Sequence, residues 1–409
     1  MNKVLLGASL AVTLLVAACS QGPVEVQGGL EPQFGSPRDD YADVVTTDAQ
    51  RGRVYVAGAF TGPENTGRGD VLFFRRYHRD GSLAWKVSAN TEAPGGIANA
   101  TAADIDPSGN VYFGWSTLAG TGTPVNRAFI SKYTPTGKLL FRKELPKESL
   151  NGLATDASGN VYVTATNYSE AGRTFRARKY TGSGSLVWTK ELRVPDEDFG
   201  DDMGDVSGLD IAPDGSVFIA AARQSYGGLL FKLRGSDGKQ LKLSPVGGQF
   251  ALDVEVTGAS AYVYSFFDAP YDNQPIVTKF RLDGASVWER RGLYEGDKNF
   301  SDARYDAATG GISADTQGNV YLVGTFVIDM DGSVDPNVLV RKYTPSGSVA
   351  YNRRFIDPGT DAYGRGVAAS GGELYVVGST DGLVNGKTSG GREAFLMRLN
   401  AQGQRVWER

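Results

Sequence analysis

Cysteine and histidine are nearly absent from this chain, which has one of each among its 409 residues. A single cysteine cannot form an intramolecular disulfide, so the fold has to be stabilised by packing rather than by cross-links. Zinc sites need several cysteine or histidine ligands, which the sequence does not supply. The one histidine, His78, ends a predicted strand beside a short turn, where it is poorly placed for a Ser-His-Asp triad. Disulfide scaffolds, zinc enzymes and triad hydrolases are therefore disfavoured.

Basic runs and phosphate-binding loops are missing as well. The formal net charge is −4, and it becomes one unit more negative if a leader containing Lys3 is removed. This balance disfavours nucleic acid as a partner. Helix-length amphipathic stretches are scarce, whereas the chain has 54 glycines and 17 prolines. The composition indicates many short strands interrupted by turns, and no motif predicts an organic cofactor.

The first 18 residues have the pattern of a signal peptide. Lys3 precedes an uncharged stretch, residues 4–18, that is too short to span a bilayer. The stretch ends in Val-Ala-Ala-Cys, which is similar to the bacterial lipobox, and the cysteine is Cys19. We expect Cys19 to be lipidated; burial as a structural thiol is the alternative. Residues 19–40 are polar and rich in glycine and proline, which predicts a flexible tether.

Lipidation at Cys19 predicts a location at the cell envelope, with the protein held to a membrane by its N-terminus. By the sorting rule of two-membrane bacteria, a residue other than Asp after the lipidated cysteine favours the outer membrane. Ser20 occupies that position. We therefore expect the outer membrane wherever the host has one.

One pattern repeats seven times between residues 53 and 409. It consists of a Val-Tyr-like pair, a cation followed by an aromatic or apolar residue, a glycine, and a large ring four residues after most of those glycines. The Tyr position is occupied by Tyr55, Tyr112, Tyr162, Phe218, Tyr262, Tyr321 and Tyr375. The cations are Arg76, Lys132, Lys179, Lys232, Lys279, Lys342 and Arg398, and the glycines are Gly81, Gly137, Gly184, Gly238, Gly284, Gly347 and Gly403. The rings are Trp85, Phe141, Trp188, Trp288, Tyr351 and Trp407, with Lys242 in the fourth unit. Such periodicity is typical of a repeat architecture.

The third unit shows what one repeat builds. A short strand over residues 152–155 precedes the tight turn Asp-Ala-Ser-Gly-Asn, and residues 161–166 alternate as a second strand. Residues 175–180 and 186–188 supply two more strands, so each unit predicts four antiparallel strands. A four-stranded unit cannot bury both sheet faces alone, and radial stacking solves this problem. We therefore predict an all-β, seven-bladed β-propeller over residues 41–409, with the repeated rings packed between blades.

The repeated letters also carry a family resemblance. Asp-Ser-Gly-Asn-Val-Tyr-Val followed by Lys-Tyr-x-x-x-Gly-x-x-x-Trp, best matched over residues 157–188 and 315–351, resembles the bacterial seven-bladed β-propeller repeat (SBBP) family. The Gly-x-x-x-Trp ending is also similar to pyrroloquinoline-quinone propellers and to the eight-bladed outer-membrane assembly lipoprotein. The resemblance implies the fold and little about chemistry, because the shared residues are turn and packing residues.

Acidic residues concentrate in the connections that lead into several blades. If the blades close into a ring, these carboxylates would surround one mouth of the channel and attract cations, calcium among them. The candidates are Asp198, Asp201, Asp202, Asp205, Asp302, Asp306 and Asp361. The alternative is that these loops are simply solvated and keep an envelope protein soluble.

A second acidic segment lies in the outer loop of the sixth unit. Asp329, Asp331 and Asp335 stand at its first, third and seventh positions, with glycine at the fourth. This spacing is similar to that of calcium loops, but an EF-hand needs glycine at the sixth position and an acid at the twelfth, where Val340 stands. A glycine-containing β-turn is the alternative to a calcium site.

Two functions fit these features. The first is a lipid-anchored, non-catalytic propeller that binds an envelope or extracellular protein or glycan through the irregular face formed by its long loops. The second is an enzyme that acts on a glycan or another polymer through carboxylates at the channel mouth, with or without calcium. No particular catalytic residue is predicted by the sequence.

Overall fold

The computed structural model is an all-β propeller with seven blades, as the repeat predicted. It describes residues 39–61, 71–90, 97–119, 125–169, 172–196, 200–201, 203–223, 227–266, 275–292, 303–330, 333–355, 360–382, 384 and 391–409. Within these ranges the chain forms no helix, and so none that could cross a membrane. The predicted leader, the lipidation site and most of the tether, residues 1–38, lie outside the described residues.

Each blade consists of four consecutive strands. Blade 1 is β1 (Asp40–Asp48), β2 (Arg53–Phe60), β3 (Val71–His78) and β4 (Leu83–Asn90), and blade 2 is β5 (Ile97–Ile105), β6 (Val111–Ala119), β7 (Val125–Tyr133) and β8 (Leu139–Pro146). Blade 3 is β9 (Glu148–Thr155), β10 (Val161–Ser169), β11 (Gly172–Tyr180) and β12 (Leu186–Leu192), and it is followed by the short pair β13 (Pro195–Asp196) and β14 (Gly200–Asp201). Blade 4 is β15 (Met203–Ile211), β16 (Ser216–Arg223), β17 (Gly228–Arg234) and β18 (Gln240–Val246), and blade 5 is β19 (Phe250–Thr257), β20 (Ser260–Phe266), β21 (Pro275–Arg281) and β22 (Ser286–Arg291). Blade 6 is β23 (Ala303–Ala314), β24 (Val320–Met330), β25 (Ser333–Tyr343) and β26 (Val349–Phe355), and blade 7 is β27 (Ala362–Ser370), β28 (Glu373–Thr380), β29 (Glu393–Leu399) and β30 (Arg405–Glu408).

Every blade is an antiparallel meander whose strand order follows the chain. Among the described residues, no sheet combines strands from the two ends of the chain. The alternation in residues 24–34, which would permit pairing at the seam, lies outside the described residues. The β13–β14 pair between blades 3 and 4 was not predicted.

The strands of the third blade are longer than the sequence pattern indicated. β9 begins at Glu148 rather than Gly152, because residues 148–150 continue to pair with β10 beyond a bulge at Thr164 and Ala165. Hydrophobic alternation stops at such a bulge while backbone pairing goes on. Strand existence was therefore predictable here, and strand length was not.

In blades 2, 3, 4 and 6 the tight turn before the second strand is held by an aspartate, Asp106, Asp156, Asp214 or Asp315, that accepts a backbone N–H group of the turn. In blade 3, Asp156 Oδ1 accepts the backbone N–H groups of Ser158 and Asn160, both at 2.9 Å. Its Oδ2 accepts the Tyr162 hydroxyl at 3.0 Å and lies 3.4 Å from Lys179 Nζ. The Lys179 ammonium also lies 4.8 Å from the centre of the Tyr162 ring. The turn aspartate and the repeated tyrosine and lysine thus form one local network.

The repeated tryptophans join neighbouring blades, which confirms that they pack the structure. Trp85 Nε1 donates to the carbonyl of Pro135 at 3.0 Å, and Trp188 Nε1 donates to that of Gly235 at the same distance. Trp288 and Trp407 make the equivalent bonds to Pro345 and Arg79. The repeated cations reach the same turns: Arg76 donates to Pro135 and Lys179 to Gly235.

Most of the repeated glycines are covered by these rings, which leave no space for a side chain. Gly137 has a φ of +86°, and a Cβ there would lie 3.0 Å from the indole of Trp85. An L side chain is disfavoured by the backbone and has no room beneath the ring. The same packing joins Gly81 to Trp407, Gly184 to Phe141, Gly238 to Trp188, Gly347 to Trp288 and Gly403 to Tyr351. In the exceptional fourth unit, the aliphatic stem of Lys242 covers Gly284 in place of a ring.

Candidate functional site: the central channel and the irregular face

The seven innermost strands surround a central channel. Its cavity has a volume of about 680 Å³ and is lined by residues of β1, β5, β9, β15, β19, β23 and β27. One strand from each blade therefore contributes to the wall, and the propeller fold alone brings these distant segments together. The lining is mainly backbone, small side chains and carboxylates.

Four channel side chains occupy equivalent positions in their blades. Each lies on the innermost strand and pairs with the residue at the repeated Tyr position of the second strand. Asp104 pairs with Tyr112, Asp210 with Phe218, Glu255 with Tyr262 and Ser313 with Tyr321. Each accepts the backbone N–H of a residue on the innermost strand of the next blade. The donors and distances are Thr155 to Asp104 at 2.6 Å, Val256 to Asp210 at 2.6 Å, Ala314 to Glu255 at 3.4 Å and Ala369 to Ser313 at 3.1 Å. We call these four contacts the inter-blade clasps.

Two further aspartates strengthen the wall. Asp253 accepts the backbone N–H of Ile312 in the next blade at 3.3 Å and packs against Gly208 of the preceding blade, where a Cβ would collide with its carboxylate. Asp43 accepts a backbone hydrogen bond from Ala100 of blade 2 and pairs with Arg365 of blade 7, Nη1 to Oδ1, at 3.1 Å. Asp43 therefore connects three blades at the point where the ring closes.

The channel environment favours the protonated form of these carboxylates. Burial raises the pKa of Asp210 to about 7, aided by the neighbouring Asp104 and Asp253, and it outweighs the hydrogen bonds from backbone amides. Burial raises the pKa of Asp253 to about 6, and it raises that of Asp43 to about 6 despite the opposing charge of Arg365. The pKa of Glu255 is also raised, first by burial and then by Asp210 and Asp253.

Sequence reasoning missed most of this set. The roles of Asp43, Asp104, Asp210, Asp253 and Glu255 were not predicted. A signal was present, because an acid that alternates with apolar residues in an innermost strand must face the channel. Asp253 and Glu255, two residues apart in β19, are the clearest example.

The predicted channel-mouth acids are distributed differently. Asp205 lies in β15, is exposed, and accepts the backbone N–H of Val206 at 2.9 Å. Asp361 precedes β27, and its carboxylate accepts the Tyr363 hydroxyl at 3.4 Å. The backbones of Asp201 and Asp306 belong to β14 and β23, whereas Asp198, Asp202 and Asp302 lie outside the described residues. Their role in attracting cations stays a prediction.

The predicted calcium segment falls at a hairpin of blade 6. Asp329 belongs to β24 and pairs with Val334, and Asp335 belongs to β25 and pairs with Ile328. Asp331 lies outside the described residues, and the calcium site stays a prediction. Elsewhere in the described part of the chain, no group of three or more His, Cys, Asp or Glu side chains is arranged to hold a metal ion.

The irregular face has exposed apolar side chains that the repeat does not explain. Ile97 opens β5 and is 62% exposed, and its strand partner Leu118 near the end of β6 is 40% exposed. Tyr168, near the end of β10 in the next blade, is 41% exposed. Ile97 and Leu118 lie at strand ends next to connections of six and five residues, whereas only two residues separate β10, which carries Tyr168, from β11. The other large apolar side chains found exposed in the described residues belong to outermost strands, at Leu140, Leu186, Val187, Leu241, Val287, Val349 and Val406.

Comparisons with known proteins support the fold alone. No protein-family model matches the chain, and no curated protein sequence matches it. The chain is similar in structure to the periplasmic gluconolactonase PpgL of Pseudomonas aeruginosa, with a TM-score of 0.55, 16% sequence identity, and coverage of 86% of this chain and 94% of that one. It is also similar to U3-55K, with a TM-score of 0.53, 11% identity, and coverage of 86% and 90%. One of these is named as an enzyme and both are distant in sequence, so what the chain shares with them is the β-propeller fold.

Proposed function

We propose that this protein is a lipid-anchored, non-catalytic binding module of the SBBP type that presents its irregular face to a protein or glycan partner at the cell envelope. The exposed, non-repeated trio Ile97, Leu118 and Tyr168 supports this function most directly. Large apolar side chains that are exposed on a rigid scaffold lose solvent contact favourably when a partner covers them. The lipobox-like sequence ending at Cys19 supports the membrane attachment.

The channel carboxylates are consistent with a binding role because each already uses an oxygen in a contact between blades. Asp104, Asp210 and Glu255 each accept an amide of the next blade, and Asp43 pairs with Arg365. Groups used in this way hold the ring together. A rigid ring positions its loops for binding at little entropic cost.

Site-specific photo-crosslinking tests the proposal in intact cells. A photoreactive residue replaces Ile97 or Leu118 in the full-length chain, and matched controls carry it at Val287 or Val406, which are 51% and 49% exposed on outermost strands. We expect one reproducible adduct from positions 97 and 118 that is absent from positions 287 and 406. Identical adduct patterns at all four positions, or no adduct at positions 97 and 118, would contradict the proposed docking face.

A catalytic role on a glycan or other polymer is a second candidate. It is favoured by Asp210 and Glu255, two carboxyl groups with raised pKa values that line the same cavity. Paired acids with separated proton affinities are the usual machinery for glycosidic cleavage. Hydrolysis of an envelope glycan by the wild-type protein that is lost in both Asp210→Asn and Glu255→Gln would support catalysis. Equal turnover by wild type and variants would exclude these residues as the catalytic pair.

A further inference from the structure

The described channel lining has far more negative than positive groups. It includes six carboxylates, from Asp43, Asp104, Asp156, Asp210, Asp253 and Glu255, and one cation, Arg365. Arg365 is paired with Asp43 and Asp156 with Lys179. Asp104, Asp210, Asp253 and Glu255 have no cationic partner among the described lining residues, and we call these four the channel acids.

The channel acids come from three blades and line the same cavity. Asp104 belongs to β5, Asp210 to β15, and Asp253 and Glu255 to β19. Asp210 is affected by the charges of Asp104 and Asp253, and Glu255 by those of all three others. Like charges in a confined space cannot all be ionised at low cost, so protons are shared across such a group rather than held by one residue.

The neighbours of the channel acids on the adjacent strands are negative, neutral or already paired. Asp106, directly after β5, adds a further negative charge near Asp104 and is itself paired with Lys132 at 3.0 Å. Thr155 on β9 and Ser313 on β23 are neutral, and Arg365 on β27 is occupied by Asp43 of β1. None of these neighbours supplies a positive charge free to balance the channel acids.

Protonation does not remove the inter-blade clasps. A clasp needs one oxygen that accepts an N–H group, and a neutral carboxyl still provides its carbonyl oxygen. The proton therefore lowers the repulsion between the channel acids while each contact to the next blade is kept. The channel acids can therefore be uncharged and still accept hydrogen bonds from the next blade.

We propose that the channel acids hold protons in common near neutral pH and act as a pH-sensitive switch on the ring. In mild acid the channel is nearly neutral and the blades are firmly joined. In alkali the channel becomes negative, so the ring loosens and the channel attracts cations. This switch is independent of the partner bound by the irregular face.

The direction follows from where the protons are held. In the folded protein the pKa values of Asp210 and Asp253 are about 7 and about 6, above the ordinary value of 3.8 that applies in the unfolded chain. Groups of this kind stabilise the folded state fully below pH about 4, and their contribution is lost as the pH rises through about 6 to 7. Each proton retained only by the folded state changes the folding equilibrium constant by about tenfold per pH unit.

The test uses the full-length chain and needs no ligand. Potentiometric measurement of unfolding in urea at pH 6 should show net release of protons from the wild-type protein. Denaturation from pH 5 to 8 should show a folding equilibrium constant that falls by about tenfold or more. Asp210→Asn and Glu255→Gln keep an acceptor oxygen for each clasp, and the double variant should show a clearly smaller fall and release fewer protons. Asp237→Asn, which changes an exposed turn carboxylate, is the control and should behave like the wild type.

Three outcomes would overturn the proposal. One is a wild-type protein that releases no proton on unfolding at pH 6, a result that does not depend on whether any variant folds. The second is a double variant that folds and retains the full pH dependence. The third is a stability at pH 7 that rises with millimolar calcium in the wild type and not in the double variant, without proton release, since this would assign the channel acids to a metal ion instead.

Discussion

Arg79 in the turn after β3 and Glu373 at the start of β28 are 294 positions apart in the chain, yet the Arg79 guanidinium Nη2 lies 2.6 Å from Glu373 Oε1. Arg398 of β29 contacts the same carboxylate. Arg79 also accepts, through its carbonyl, the indole N–H of Trp407. The first and last blades are thus joined at the outer edge by a charged network, and near the axis by Asp43 and Arg365.

Replacing Glu373 should weaken this seam. Burial disfavours the charge of Glu373, but the hydrogen bonds from Arg79 and Arg398 outweigh burial and lower its pKa to about 2. We expect Glu373→Gln to reduce the free energy of unfolding by about 1 kcal/mol at pH 7, a modest value because Arg79 is largely exposed. Denaturation in urea measures the difference.

The pH dependence of the Glu373 contribution has a definite sign. A carboxylate whose pKa is lowered by folding stabilises the protein above its unfolded value, 4.5, and loses that contribution as the pH falls towards about 2. The difference between wild type and Glu373→Gln should therefore shrink from pH 7 to pH 3. Glu144→Gln, which removes the exposed pair with Arg127 inside blade 2, should cost less at both pH values. A Glu373 effect that grows in acid would contradict the assignment.

Two glycines with the same backbone conformation should respond differently to a methyl group. Gly137 and Gly159 have φ values of +86° and +77°, but only Gly137 is covered, since nothing lies within 4 Å of a Cβ at Gly159. Both alanine variants lose about 1 kcal/mol to backbone strain. Gly137→Ala should lose a further 1 to 3 kcal/mol, roughly, because the Trp85 ring has to move. Equal melting temperatures for the two variants would show that ring contact does not determine this position.

Gly137 also illustrates which part of the fold the sequence predicts. The spacing of Gly137, Lys132 and Trp85 predicted blades and inter-blade packing, because turns and strand alternation depend on residues near one another in the chain. The channel acids were missed because their surroundings depend on ring closure. Asp104 and Asp210 are 106 positions apart, and only the closed ring makes their charges interact.

One clasp can be removed without changing any charge. Ser313 Oγ accepts the backbone N–H of Ala369 at 3.1 Å across the boundary between blades 6 and 7. Ser313→Ala should lower the free energy of unfolding by about 1 kcal/mol, the usual contribution of one hydrogen bond. Hydrogen exchange gives a local measurement: the Ala369 amide should exchange faster, while the Val256 amide, bonded to Asp210, should not change. Faster exchange at both amides would indicate general loosening of the ring.

Membrane attachment through Cys19 gives a prediction that is independent of the propeller. If Cys19 receives the lipid, no cysteine remains to be acylated in Cys19→Ala. This variant should therefore not incorporate radiolabelled palmitate, and it should move from the membrane fraction to the soluble fraction. The propeller should still melt at the wild-type temperature, since the first strand of its blades begins at Asp40. Ser20→Asp is the matched control: it should keep the palmitate label and, in a host with two membranes, shift the protein from the outer to the inner membrane. Full membrane retention of unlabelled Cys19→Ala would mean that something other than the lipid holds the protein there.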